Sequence, residues 1–232
     1  MGDTFPGNAR LQPGPVVTKA GLEPSIPRSA PIGWHSRGYM PHFDSHYVVQ
    51  HMTFHLADSL PAGVLVRLEE ELRTVPPERQ EAERRKRIET WIDAGYGCCL
   101  LREPAAACLV QDALLFFDSV RYRLLAWVIM PNHVHVLFQL MEGWTMARIV
   151  ASWKSFTGRR LSSLLPVSLG SNAMHRVWHR EYWDRFIRDE RHFHTAREYI
   201  HNNPVKAGLV RRPEEWEWSS AGLEPGVPRG VV

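Results

Sequence analysis

The pattern of apolar and polar residues predicts three strands. In the sequence HYVVQHMTFHL, residues 46–56, more polar and more apolar side chains tend to alternate, as they do on the two faces of a strand. The run is also rich in residues that favour strands. Two further runs of this kind, 122–130 and 133–140, are separated only by Pro131 and Asn132. So short a break with turn-forming residues predicts that these two strands form an antiparallel hairpin.

Apolar residues spaced three or four apart predict five helices between and after these strands. The helices are expected at 65–75, 78–95, 102–119, 145–165 and 189–203. Pro76 ends the first of them, and Pro204 follows the last. Thr145 and Asp189 are suited to cap the N termini of the last two. This order of elements is typical of a mostly antiparallel sheet with helices on its faces, an α+β fold.

Length and composition fit one globular domain with irregular ends. The chain has 232 residues, of which 44% are hydrophobic, enough to bury a core. Residues 1–36 contain six prolines and five glycines without apolar periodicity, which predicts a disordered leader. The domain is then expected at 37–222, followed by a flexible tail at 223–232. No apolar run reaches the roughly 18 residues of a membrane span, so we expect a soluble intracellular protein.

Positive charge is concentrated in one part of the chain. Residues 144–212 carry 13 Lys and Arg against 5 Asp and Glu, whereas the net charge of the whole chain is only +3. A basic segment of this kind indicates binding to a phosphate backbone, although a solvated basic surface is the alternative. The mixed charges of residues 78–87 are instead typical of a solvated helix face.

Two histidines interrupt the apolar run MPNHVHVLFQL at residues 130–140. In a strand, side chains two positions apart lie on one face, with Cα atoms about 6.6–6.8 Å apart. His133 and His135 could therefore bind the same metal ion, while Val134 and the apolar residues in register with it face the core. The alternative is that both histidines are simply hydrogen-bonded members of a sheet face.

The last predicted helix supplies groups that could act with such an ion. Tyr199 and Asn203 are four residues apart and so share one helix face. A tyrosine hydroxyl can attack a phosphodiester when a divalent ion polarises the phosphate. The products would be a 5′-phosphotyrosine and a free 3′-hydroxyl, which can react in reverse to join strands without ATP. The alternatives are a packing tyrosine and a turn-forming asparagine before Pro204.

Four motifs resemble the REP-associated tyrosine transposases of the single-tyrosine HUH superfamily. They are AWVIMPNHVHVLFQL, SWKSFT, HREYWDRFIRDERHF and YIHNNPVKAGLV, within a resemblance that extends over residues 38–221. The resemblance implies a ferredoxin-like antiparallel sheet flanked by helices, the HUH nuclease fold. In its terms His133 and His135 match the HUH histidines and Tyr199 matches the nucleophile. Asn203 matches the position that supplies the third metal ligand.

The resemblance also implies a function. It predicts a metal-dependent endonuclease and strand transferase that cuts single-stranded DNA at palindromic hairpins through a 5′-phosphotyrosine. The implied cofactor is Mg²⁺ or Mn²⁺, and the protein would act as a monomer or homodimer in the bacterial cytoplasm, at the nucleoid. It implies no role for the helical insertion at 65–95. The alternatives are a module that binds hairpin DNA without cutting it and a hydrolase that activates water at the histidine pair.

In this function the basic segment would contact the DNA. The predicted phosphate contacts are Lys154, Arg180, Arg185, Arg188 and Lys206. The side chain predicted to stack on an unpaired base is that of Trp178 or Trp183. The apolar stripes of the helices place three other aromatic residues in the core, namely Trp153, Phe156 and Phe193.

Overall fold

The structure, a computed structural model, describes residues 33–36, 41–60, 62–164 and 176–223. A two-stranded antiparallel sheet comes first, formed by β1 (Gly33–Ser36) and β2 (Pro41–Asp44). The last four residues of the predicted leader are therefore a strand rather than unstructured chain, because they pair with β2. The remainder of that leader, and residues 224–232 of the predicted tail, lie outside the described residues.

The main sheet has four antiparallel strands. They are β3 (Val49–His55), β4 (Tyr122–Ile129), β5 (His133–Leu140) and β6 (Trp183–Phe186). Their spatial order is β4-β5-β3-β6, so the first of them in sequence lies between the third and the fourth. With helices after β3 and after β5, this order is that of the ferredoxin-like fold. The predicted α+β fold is thus confirmed, as is the hairpin of β4 and β5.

The five helices predicted from apolar periodicity are all present. They are α1 (Ala62–Leu72), α2 (Pro77–Asp93), α3 (Pro104–Leu115), α4 (Met146–Leu161) and α5 (Glu190–Lys206). Thr145 and Asp189 cap α4 and α5 as predicted, since their side chains accept hydrogen bonds from backbone amides at 3.3 and 2.7 Å. Within the described part of the chain, no helix combines the length and hydrophobicity needed to cross a membrane.

The two faces of the main sheet pack against different helices. Val134 and Val136 of β5 point into the larger core, where α3 and α4 cover the sheet. The opposite face packs against α5 through Leu137 and Ile200. The predicted alternation of faces along β5 is therefore confirmed, and Trp153 of α4 is buried in the larger core as predicted.

Helices α1 and α2 pack on the same face of the sheet as α5. Leu68 of α1 and Ile92 of α2 belong to one buried cluster with Trp183 of β6. Trp183 is paired with Thr53, which is itself paired with His135, so all three lie on one face of the sheet. The C-terminal end of α2 is thereby brought to the histidine pair, a position that the sequence did not predict.

Helix α5 continues through Pro204, whereas the sequence predicted its end at Asn203. A proline inside a helix removes one backbone donor and crowds the carbonyl four residues earlier, here that of Ile200. The helix ends two residues after the proline, so only its last turn bears this cost. Asn203 therefore has a helical backbone and lies one turn from Tyr199, as the predicted site requires.

Candidate active site

His133 and His135 are both almost completely buried, and their rings meet edge to face with centroids 4.7 Å apart. Their Nε2 atoms are 3.1 Å apart. Neighbouring side chains fix each ring through its other nitrogen: Nδ1 of His133 bonds to Oδ1 of Asn132, and Nδ1 of His135 bonds to Oγ1 of Thr53, both at 2.7 Å. The two Nε2 atoms are therefore held toward a single point on the sheet face.

Asn132 determines where the proton lies on His133. Its amide nitrogen donates to the carbonyls of Ile92 and Tyr96, each at 3.0 Å, so its Oδ1 must accept from Nδ1 of His133. Nε2 of His133 then presents a lone pair toward His135. Burial, with the neighbouring His135, lowers the pKa of His133 well below its ordinary value. Neutral imidazole is the form in which histidine binds metals.

Asp93, the last residue of α2, is the third group at this point. Its Oδ1 lies 3.4 Å from Nε2 of His133 and 3.9 Å from Nε2 of His135. This oxygen is buried and has no hydrogen bond within the described chain. Burial raises the pKa of Asp93, but the neighbouring His135 and His133 and the hydrogen bond from Tyr199 bring it below the ordinary value.

These three residues fit the divalent ion that the resemblance implies. Their ligand atoms all lie within 4.8 Å of one another. Two imidazole nitrogens and a carboxylate oxygen are common ligands of divalent transition metals. Lone pairs of His133 and Asp93 that converge without a proton or cation between them repel each other, whereas a cation at that point satisfies them.

Tyr199 of α5 joins this group through its hydroxyl, which donates to Oδ2 of Asp93 at 3.2 Å. Its ring stands edge-on to that of His135, with centroids 5.3 Å apart. The ammonium group of Lys206 lies 4.7 Å from the centre of the tyrosine ring. Burial and the carboxylate of Asp93 raise the pKa of Tyr199 far above its ordinary value. The hydroxyl is therefore protonated here, with Asp93 as the acceptor of its hydrogen bond.

Asn203 is buried one turn further along α5. Its amide nitrogen lies 3.2 Å from Nε2 of His135, so in this orientation the amide donates to the imidazole. The predicted role as a metal ligand requires the amide oxygen, and half a turn of the amide group would exchange the two atoms. The structure brings the four residues predicted for catalysis and metal binding to one place and adds Asp93.

The sequence did not single out Asp93 because it lies in an insertion whose charges suit a solvated helix. One signal was available. A carboxylate in the last turn of a helix lies at the negative end of the helix dipole, where it is unfavourable. Asp93 is the last residue of α2, and that turn has no basic residue. The placement indicates a purpose other than stabilising the helix.

The predicted phosphate contacts divide into two groups. Four of them are exposed, namely Arg180, Arg185, Arg188 and Lys206. Lys154, by contrast, is half-buried, and its ammonium group donates to the backbone carbonyls of three consecutive residues, 179–181, at 2.9, 3.3 and 3.0 Å. Because all three ammonium protons are used within the protein, Lys154 is a structural residue, and its predicted contact with phosphate is wrong.

The two tryptophans predicted to stack on a base are both buried. Trp178 is 5% exposed, packs against Phe54 and donates from Nε1 to Oγ1 of Thr157 at 2.8 Å. It belongs to the core, so its predicted role as a stacking surface is wrong. Trp183 is 8% exposed and stacks on His55, with ring centroids 4.8 Å apart. Unlike Trp178, it also lines a cavity next to Tyr199.

Comparisons with known proteins point to transposases. Residues 115–203 match the family model described as Transposase IS200 like. The REP-associated tyrosine transposase of Escherichia coli strain K12 is 27% identical over 106 residues, 46% of this chain and 57% of that protein. A provisionally named REP-associated tyrosine transposase of Haemophilus influenzae is 31% identical over 103 residues, 43% of this chain and 58% of that protein. The chain thus spans little more than half the length of these relatives.

A solved structure described as a REP-associated tyrosine transposase bound to a REP hairpin aligns with a TM-score of 0.46 and 17% identity. The alignment covers 80% of this chain and 83% of that one. The family match runs from the last residue of α3 into α5, and so includes the histidine pair and Tyr199. The family match and the two named relatives confirm the resemblance of this chain to the REP-associated tyrosine transposases.

Proposed function

We propose that this protein is a transposase: a metal-dependent endonuclease and strand transferase that cuts single-stranded DNA at palindromic hairpins, with Tyr199 as the nucleophile. One observation carries the proposal. Asp93 accepts a hydrogen bond from the Tyr199 hydroxyl through Oδ2 and approaches the Nε2 atoms of both histidines through Oδ1. Attack on a phosphodiester needs a nucleophile beside a cation, and this carboxylate links the two.

A divalent ion bound by His133, His135 and Asp93 would polarise the scissile phosphate and stabilise the charge that develops on its oxygens. The protein's own groups position the nucleophile. Helix α5 holds the Tyr199 hydroxyl against Asp93, which is placed to accept the phenolic proton. The tyrosine oxygen forms a bond to phosphorus as the bond from phosphorus to the 3′ oxygen breaks. The 3′ oxygen leaves with the electron pair of that bond and takes up a proton from water, which gives the 3′-hydroxyl.

The metal is proposed as Mg²⁺ or Mn²⁺. Imidazole nitrogens favour Mn²⁺ as the ligand-matched ion, whereas Mg²⁺ is favoured by its abundance in cells. Asn203 is proposed to orient His135 or, with its amide reversed, to add an oxygen ligand. Hairpin DNA is the proposed partner of a monomer or homodimer at the bacterial nucleoid. Arg185, beside the cavity next to Tyr199, and Lys206, over the tyrosine ring, support contact with a phosphate backbone.

The buried Oδ1 atom of Asp93 also bears on the alternative of a module that binds hairpin DNA without cutting it. Such a module needs exposed basic residues, but it has no use for an unpaired carboxylate oxygen buried between two histidines and a tyrosine. Burial of a polar atom without a hydrogen-bond partner is costly, and function is the usual reason for it. We therefore favour the enzyme.

Covalent capture of DNA tests this function. The protein is incubated with Mg²⁺ or Mn²⁺ and a pool of single-stranded hairpins labelled at the 3′ end. The wild type should trap label from the 3′ side of the cut in an adduct that survives denaturation. Tyr199→Phe removes one oxygen, so it should bind the hairpins as before and trap none.

Tyr182→Phe is the matched control. Tyr182 lies in the same basic segment, but its ring is in the core and only 4% exposed. This variant should form the adduct as the wild type does. Loss of the adduct in Tyr182→Phe together with its retention in Tyr199→Phe would show that the nucleophile is assigned wrongly.

A further inference from the structure

A cavity of about 200 Å³ lies beside Tyr199, enclosed by β3, β6, α2 and α5. The residues on its wall that bear on its chemistry are His51, Glu89, Trp183, Arg185, His192 and Tyr199. Apart from Tyr199, none of them has a part in the proposed cleavage chemistry. The cavity thus borders Tyr199, but the proposed cleavage chemistry gives it no role.

We propose that this cavity binds one unpaired nucleobase, that of the nucleotide next to the scissile phosphate. The inference rests on the proposed function, because Tyr199 borders both the cavity and the candidate cation site. A phosphate held near the Tyr199 hydroxyl would leave the neighbouring base within reach of the cavity. The base would enter it, while its sugar and phosphate remain outside.

The size of the cavity suits a single ring system. Pockets for drug-sized ligands have volumes of about 300–1,000 Å³, so a cavity of about 200 Å³ is too small for a base pair. A base can enter only when it is unpaired, as in a single strand or after flipping out of a duplex. The cavity therefore fits the single-stranded DNA flanking a hairpin better than it fits the paired stem.

The wall offers an aromatic surface for stacking. Trp183 comes from β6, and its stacking on His55 fixes the plane of the indole. Stacking of one base on an aromatic side chain contributes roughly a factor of 5 to 150 to affinity and depends little on which base is bound. Trp183, and not Trp178, is thus the tryptophan placed to contact DNA.

Polar groups on the wall could recognise the edge of a base. Nδ1 of His192 accepts a hydrogen bond from the amide of Arg188 at 3.3 Å, so its Nε2 carries the proton and can donate. Arg185 adds further donors, and Glu89 adds carboxylate oxygens. His51 also lies on the cavity wall, with its ring 5.9 Å from that of Tyr199.

A fluorescent trinucleotide tests the cavity without knowledge of the hairpin sequence. The probe carries 2-aminopurine on its central nucleotide and abasic sugars on both sides. Binding to the full-length wild type should quench its fluorescence through stacking on Trp183. An unlabelled trinucleotide with a central adenine should compete at least tenfold better than a fully abasic one. Equal competition, or no quenching by the wild type, would overturn the inference.

A matched pair of variants locates the binding. Thr195 is an exposed residue of α5 on the cavity wall, so Thr195→Phe should fill the space and weaken probe binding tenfold or more. His194 is the preceding exposed residue and lines a different groove, so His194→Phe should bind the probe as the wild type does. Equal affinity of the two variants would also overturn the inference.

The capture assay separates this inference from the function on which it rests. If the wild type forms the Tyr199 adduct but the abasic competitor is as effective as the one with a base, only the base site is wrong. If no adduct forms while Thr195→Phe still weakens base-dependent binding, the cleavage function is wrong and the base site stands.

Discussion

The carboxylate of Asp93 allows a sharp test of the candidate cation site. We expect Asp93→Asn, which keeps the shape and removes the charge, to weaken binding of Mn²⁺ or Mg²⁺ by about ten- to hundredfold. Without the ion, the free energy of unfolding should change by less than about 1 kcal/mol. The amide oxygen can still accept from Tyr199, and the variant removes the charge from a group whose buried Oδ1 atom has no hydrogen bond within the described chain.

The magnitude follows from the distances in the site. Oδ1 of Asp93 is 3.4 and 3.9 Å from the two histidine nitrogens, so its charge is close to any ion that both of them bind. At about 4 Å and an effective dielectric constant near 20, one unit of charge contributes about 4 kcal/mol for each unit of cation charge. The side chain is 31% exposed, and screening by water reduces this value. We therefore expect a loss of about 1.4–2.8 kcal/mol.

Isothermal titration of the metal-free full-length chain with Mn²⁺ measures this loss. Glu83→Gln is the matched control, because it removes one carboxylate from the same helix, ten residues and about 15 Å away from Asp93. Asn203→Ala distinguishes the two candidates for the third ligand. Unchanged affinity in Asp93→Asn together with a large loss in Asn203→Ala would refute the role of Asp93 and favour the ligand set implied by the resemblance.

Two further predictions concern DNA binding and stability in acid. Reversing Arg185 and Arg188 to Glu should weaken hairpin binding, and the slope of the log binding constant against log salt concentration should become shallower by about 0.7 for each phosphate that the variant no longer binds. Arg148→Glu on α4 is the control and should leave both unchanged. A slope equal to that of the wild type in the double variant would contradict this prediction. Burial lowers the pKa of His55 from 6.5 to about 3, so its contribution to stability is complete above pH 6.5 and is lost as the pH falls toward 3, by about 1.4 kcal/mol per pH unit. His55→Phe should reduce the pH dependence of urea unfolding in this range, and an unchanged dependence would show that another group causes it.

The long elements were predictable because their patterns repeat. Each of the five helices has at least 11 residues, enough for an apolar stripe to recur over several turns. The hairpin of β4 and β5 has eight residues on each side of a Pro-Asn turn. The strands that were missed, β1, β2 and β6, have four residues each, too few to establish a period of two.

The same limit applies to the site: residues paired within one strand or helix could be predicted from the sequence, and contacts between distant elements could not. The spacing of His133 and His135 along a strand, and that of Tyr199 and Asn203 along a helix, fixes each pair within one element, so the sequence was enough to predict them. Asp93 is 106 residues from Tyr199 and reaches it only because α2 packs on the sheet. No local pattern contains that contact. The two incorrect DNA contacts, Lys154 and Trp178, have the same cause, since only the fold shows that they are buried or already bonded.

Under the proposed function, ion binding and the packing of α2 are coupled. The turn before His133 is already tied to the end of α2, because the Asn132 amide donates to the carbonyls of Ile92 and Tyr96. An ion that binds both histidines and Asp93 adds a second link, and it binds only where these elements are together. At an ion concentration one hundred times the Kd, this linkage would stabilise the packed arrangement by about 2.7 kcal/mol. The insertion at 65–95, for which the resemblance implied no role, would then be held in place by the ion whose site it completes.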